Sequence, residues 1–146
     1  MQRPKVISLQ WLDERGACRE QVQLFARVWP DGVAVTRETL EQSATAGLRL
    51  EWFAGQVLPR SDYTAFQSQR ATLYAALQSQ RATLYAAYQE QVAPQYADYK
   101  MNADYKLNAD YLAHCDTLGA AYRAQRDTLL INAVCDSYER ENDAVD

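Results

Sequence analysis

His114 is the only histidine in the chain, so any Ser/His/Asp or Cys/His centre must use it. Its neighbour Cys115 points ~100° away around a helix, and the two do not pair locally. Asp110, four residues earlier, falls on the same helical face and within reach of the imidazole. A solvated surface histidine is the ordinary reading of that arrangement. The cysteines are Cys18, Cys115 and Cys135. Cys115 and Cys135 would sit ~30 Å apart along one straight helix, at 1.5 Å per residue, which excludes a bridge unless the helix folds back. An odd, widely spaced set is no disulfide framework, and buried free thiols are expected. With His114 they make four remote ligands without a C-x2-C spacing, unlike a zinc site. The five glycines are scattered and form no phosphate-binding loop. Paired carboxylates such as Asp13-Glu14 fall on expected surface helices, where solvation accounts for them. The sequence therefore predicts no catalytic residue, no metal site and no cofactor site, and the chain reads as a non-enzyme.

Arg70, Tyr74, Arg81 and Tyr85 interleave bases and aromatics, a pattern that suits stacking on single-stranded nucleic acid. Two arginines in a Gln-rich stretch make that signal weak, and the same spacing serves an arginine lying over a tyrosine. Net charge is −4, and it is uneven. Residues 1–60 carry eight Lys/Arg against seven Asp/Glu, a balance of +1; residues 61–146 carry seven against twelve, a balance of −5. An acidic balance argues against a phosphate-tracking partner and permits a basic protein partner.

These residues need elements to hold them. Of the 146 residues 48% are apolar, but that share includes ten Tyr and many Ala, and mean hydropathy is −0.47. The core is accordingly modest. No run of 18 apolar residues exists to span a membrane, and the N-terminus lacks the apolar core of a secretory signal, so the expected compartment is the cytoplasm.

Residues 1–60 read as a compact, aromatic-rich helical module. Ser8 to Arg15 forms a short helix that stops at Gly16. In Arg19 to Trp29, Val22, Phe25 and Trp29 share one helical face. Pro30-Asp31-Gly32 is a turn. Val33-Ala34-Val35 is extended in preference, with no obvious partner strand. Thr36 caps a helix through about Ala46, which Gly47 ends. Leu50 to Leu58 forms another short helix, stopped by Pro59. Trp11, Phe25, Trp29, Trp52 and Phe53 mark the core.

Residues 61–138 read as one long helical stretch, capped by Ser61, with an acidic tail over 139–146. Gln67–Ala76 and Gln78–Ala87 are identical, a period of eleven. Hexads from Tyr99, Tyr105 and Tyr111 then follow, spreading Asp98, Asp104 and Asp110 to three sides of a helix. Eleven residues make three turns at ~3.67 residues per turn. A seam follows, with Phe66, Leu77, Tyr88 and Tyr99 in one row, Leu73 and Leu84 on the same side, and Tyr74, Tyr85 and Tyr96 flanking. It continues through Ala103, Leu107, Tyr111, Cys115, Leu118, Tyr122, Leu129 and Ala133. Pro94 interrupts the helix. With neither Gly nor Asn beside it, a tight turn has poor chemistry, and a kinked continuous helix is favoured over a helical hairpin. A lone helix cannot bury its own seam. The seam must meet the N-terminal module, a second copy of the chain or a partner.

Two stretches carry a resemblance. Gly16-Ala17-Cys18-Arg19-Glu20-Gln21-Val22 leads into Pro30-Asp31-Gly32-Val33-Ala34-Val35-Thr36, and an Ala/Tyr-rich repeat containing Ala93-Pro94 follows. The chain thereby resembles a family of bacterial and phage proteins with a short N-terminal module and a tail of 11-residue Ala-Tyr helical repeats. The Gln-rich repeats and the Tyr-Lys-x-Asn-Ala-Asp hexads depart from that pattern. The family has no established activity, so the resemblance implies a phage or mobile-element setting and no chemistry. The expected fold is mainly α, a small helical module plus a long helix or hairpin of 11-residue repeats. The expected function is non-catalytic protein binding or self-association through Phe66, Leu73, Leu77, Leu84, Tyr85, Tyr88 and Tyr99. The alternative is a small acidic inhibitor that occludes a basic site on a host defence or nucleic-acid enzyme.

Overall fold

The computed structural model describes residues 3–96 and 101–144, with side chains described for 3–92 and 108–144. The fold is mainly α. Its elements are β1 (Val6–Ile7), α1 (Leu9–Glu14), α2 (Arg19–Val28), β2 (Val33–Ala34), α3 (Arg37–Thr45), α4 (Leu50–Val57), α5 (Arg60–Tyr96) and α6 (Met101–Asp143).

Local chemistry sets the short elements. Ser8 Oγ accepts from Trp11 N–H and starts α1. Thr36 and Thr39 form a reciprocal capping box that starts α3. Gly32 sits at φ +86°, and a Cβ there would stand 2.8 Å from the Ile7 carbonyl oxygen, so only glycine fits the approach of this turn to β1. The sequence left Val33-Ala34-Val35 without a partner. The structure supplies one, because β1 and β2 pair antiparallel, with Val6 opposite Ala34 and Ile7 opposite Val33.

The chain forms two compact units. The first takes residues up to Gln67 together with those from Asp127 onward, and the second is Ser68–Arg126. The expected division at residues 60 and 138 is therefore redrawn. Helix α5 begins at Arg60, with the Pro59 carbonyl accepting from Tyr63 N–H, so Ser61 is not the cap. Helix α6 runs to Asp143, so most of the expected acidic tail is helix.

In the first unit, Leu12, Phe25, Leu40, Leu50, Phe53 and Val57 share a core with Phe66 of α5 and with Leu130, Ile131 and Val134 of α6. The sequence seam had placed Leu129 and Ala133 on the inner face here; both are half-buried, and the deepest positions lie one residue further on. Polar contacts close this unit. Arg3 Nη1 donates to the Ser137 carbonyl at 2.6 Å and Arg3 Nε pairs with Glu141 at 3.4 Å. Tyr138 donates to the Pro4 carbonyl at 2.9 Å. Ser137, buried, donates to Asp62 at 3.0 Å, and Arg140 pairs with the same carboxylate.

In the second unit, α5 and α6 lie side by side and antiparallel. Tyr74 meets Tyr122, and Tyr85 meets Tyr111. The kinked continuous helix expected at Pro94 is thus replaced by a helical hairpin, and α5 extends to Tyr96, two residues past that proline. The physical reason is burial. Closing a loop costs little, while reversal lets the two halves of the apolar seam cover each other.

Candidate functional site

The predicted seam residues now separate by environment. Phe66 is 1% exposed and belongs to the core of the first unit. Leu77 is 5% exposed, and Leu73, Leu84 and Tyr88 are half-buried between the limbs of the hairpin. Of the described seam residues only the flanking Tyr74 and Tyr85 stay open, at 50% and 51%. Tyr99 lies outside the described residues, as do Asp98 and the side chains of Tyr96, Ala103, Asp104 and Leu107. The aliphatic seam is consequently occupied by the chain itself and needs no second molecule to cover it.

The inner face of α5 in this unit reads Arg70, Leu73, Leu77, Arg81, Leu84, Tyr88, Val92, all half-buried or buried. The steps of three and four make two full 11-residue periods. The sequence reading put Arg70 and Arg81 on a Gln-rich surface, whereas the structure half-buries both. The Arg81 head lies against Gly119 of α6, where a Cβ would stand 3.4 Å from a guanidinium nitrogen. Arg81 Nε is buried and makes no hydrogen bond among the described residues.

Beside that inner face lies a tyrosine array, of which Tyr74 and Tyr85 are exposed. Tyr74 and Tyr122 meet edge to face at 5.9 Å. Tyr85 lies 6.0 Å from Tyr111, and Tyr111 stacks on Tyr88 at 4.8 Å with 23° between the planes. Tyr74 is 50% exposed and Leu112 53%. The Tyr111 phenol is raised, chiefly by its side-chain hydrogen bond with Cys115, four residues on. The array was legible in part, since the 11-residue spacing puts Tyr74 and Tyr85 in one row and Tyr111 and Tyr122 in another. Their pairing across the hairpin was not.

The residues considered for chemistry stay apart. His114 and Asp110 are exposed on α6. Cys18 is exposed in the first unit, Cys115 is half-buried in the second, and Cys135 is half-buried in the first; all three are free thiols. Burial pushes the Cys135 thiol up, which makes it a poor nucleophile. Among the described residues no group of three His, Cys, Asp or Glu is placed to hold a metal, and no helix is long and apolar enough to cross a membrane. In comparisons with family models, curated proteins and solved structures, nothing matched this chain.

Proposed function

We propose that this chain is a non-catalytic protein-binding protein whose contact surface is the tyrosine array of the helical hairpin. The observation that supports it is the paired, half-open state of Tyr74 and Tyr85. Each ring is held by a ring of α6 and still offers half its surface to solvent. Tyrosine combines a large apolar face with a hydroxyl and loses little rotamer freedom on binding, which is why it concentrates at interface hot spots. The two pairs are eleven residues apart on each helix, which is roughly 16 Å along the axis, so the surface offers two equal anchor points to a partner protein or to a second copy. The acidic-inhibitor alternative rests on the exposed carboxylates Asp136, Glu139 and Asp143, since Arg3 and Arg140 already engage Glu141 and Asp62. A phage or mobile-element setting remains a proposal carried by the sequence resemblance.

The test is recovery of the tagged chain from a host lysate after nuclease treatment, beside a Tyr74→Ser/Tyr85→Ser variant of unchanged helicity, with solution mass measured for both. A stoichiometric protein, or a dimer mass, that the variant loses supports the array. A single-chain mass with nothing enriched, or a partner equally retained by the variant, overturns it.

A further inference from the structure

We infer that the N-terminal module is a receptor for a neutral, apolar small molecule, held in a cavity inside its own core. The cavity is about 300 Å³. Every element of the module contributes to its wall, with Ile7 from β1, Leu12 from α1, Phe25 from α2, Leu40 from α3, and Leu50 and Phe53 from α4. These six residues keep 4–8% of their surface accessible. Of the core residues that do not line the cavity, Ala54, Phe66, Leu130 and Val134 are at 0–1%, and Val57, Leu58 and Ile131 at 4–8%. Protein interiors hold few voids larger than a water molecule, and an engineered apolar cavity of ~150 Å³ stays dry and binds benzene. A space twice that size matches a bicyclic aromatic or a medium-length acyl chain, at the lower end of ligand pockets.

The wall also selects charge. Three of its polar side chains are already engaged: Ser43 Oγ accepts from Trp29 Nε1 at 3.0 Å, Thr39 Oγ1 donates to the Ala34 carbonyl at 2.6 Å, and Gln21 Oε1 accepts from Arg49 N–H at 2.7 Å. No acidic side chain lines the cavity, and its one cationic residue, Arg49, is exposed, as are Gly16, Cys18 and Ala34 in the lining. These four mark where the cavity meets solvent. An ionised group carried inside would lose its hydration without finding a partner, whereas a hydrocarbon gains by leaving water.

The full-length protein titrated with naphthalene, with 1-naphthylmethylammonium in parallel, tests this by methyl NMR. Naphthalene is expected to shift the methyl signals of Ile7, Leu12, Leu40 and Leu50 and to leave those of Leu77 and Leu130 in place. The ammonium should bind at least about tenfold more weakly, because its charge meets Arg49 at the mouth and must be desolvated inside. Ala17→Leu, which extends a half-buried wall residue into the space, should weaken naphthalene by a similar factor. The NMR result on the native chain stands whether or not that variant folds. No shift up to the solubility limit of naphthalene, shifts centred on Leu77, or equal binding of the ammonium would overturn the assignment.

Discussion

Tyr74 and Tyr122 meet edge to face with ring centroids 5.9 Å apart, and eleven residues later on α5 and earlier on α6, Tyr85 and Tyr111 repeat the meeting at 6.0 Å. The repeat in the sequence is thereby converted into a repeat in space. An 11-residue period returns each tyrosine to the same side of its own helix after three turns, and antiparallel pairing sets the two rows against each other in step. Aromatic pairs of this geometry add about 0.5–1.5 kcal/mol beyond their burial, enough to hold the rings in place while one face stays open.

Leu77 lies at the centre of the hairpin's inner face and is 5% exposed. Leu77→Ala removes a buried side chain and leaves a void, and is expected to cost about 2–5 kcal/mol. Leu84, half-buried one period on from Leu73, should cost less. Urea unfolding followed by helicity measures both. Equal, negligible losses would mean that the two limbs do not pack on one another in solution.

Gly119 is a buried glycine inside α6. Among the described residues, the side-chain atoms near a Cβ there are the guanidinium ends of Arg81 and Arg123, each at 3.4 Å, and such ends move readily. Alanine also favours the helix by about 1 kcal/mol over glycine. Gly119→Ala is therefore expected to raise stability by up to about 1 kcal/mol, read as a higher melting temperature. A clear loss would show that the Arg81 head has nowhere else to go.

Tyr138 titrates far from the ordinary range. Burial is the main cause and pushes its phenol from 10.0 up to about 12, and its hydroxyl donates to the Pro4 carbonyl. The folded chain holds this proton where the unfolded chain has released it, so the contribution is complete below pH 10 and is lost as pH rises through 12. Denaturant titrations from neutral pH upward should show stability falling across that window. Tyr138→Phe is expected to be less stable at neutral pH, with the Pro4 carbonyl unpaired, and to have a flatter alkaline limb. An unchanged alkaline slope would remove Tyr138 as its cause.

What the sequence determined by itself is local. Ser8 and Thr36 offer hydroxyls to the first free N–H groups of α1 and α3, and Gly16, Gly32 and Gly47 take the positive φ angles that end helices or turn the chain. These effects act within four residues, so they are readable in a short window. The 11-residue period likewise fixed which side of α5 carries Leu73, Leu77 and Leu84. Tertiary structure decided the rest. Val33 found its partner in Ile7 across two helices, and the seam was closed by the chain's own second limb rather than by another molecule. Arg70 and Arg81 were drawn inward, Arg81 over a glycine that lies far along the chain. Each of these outcomes depends on which distant segments can bury the most apolar surface against each other once loop closure is offset. Periodicity assigns a residue to a face, and only the packed chain settles what that face meets.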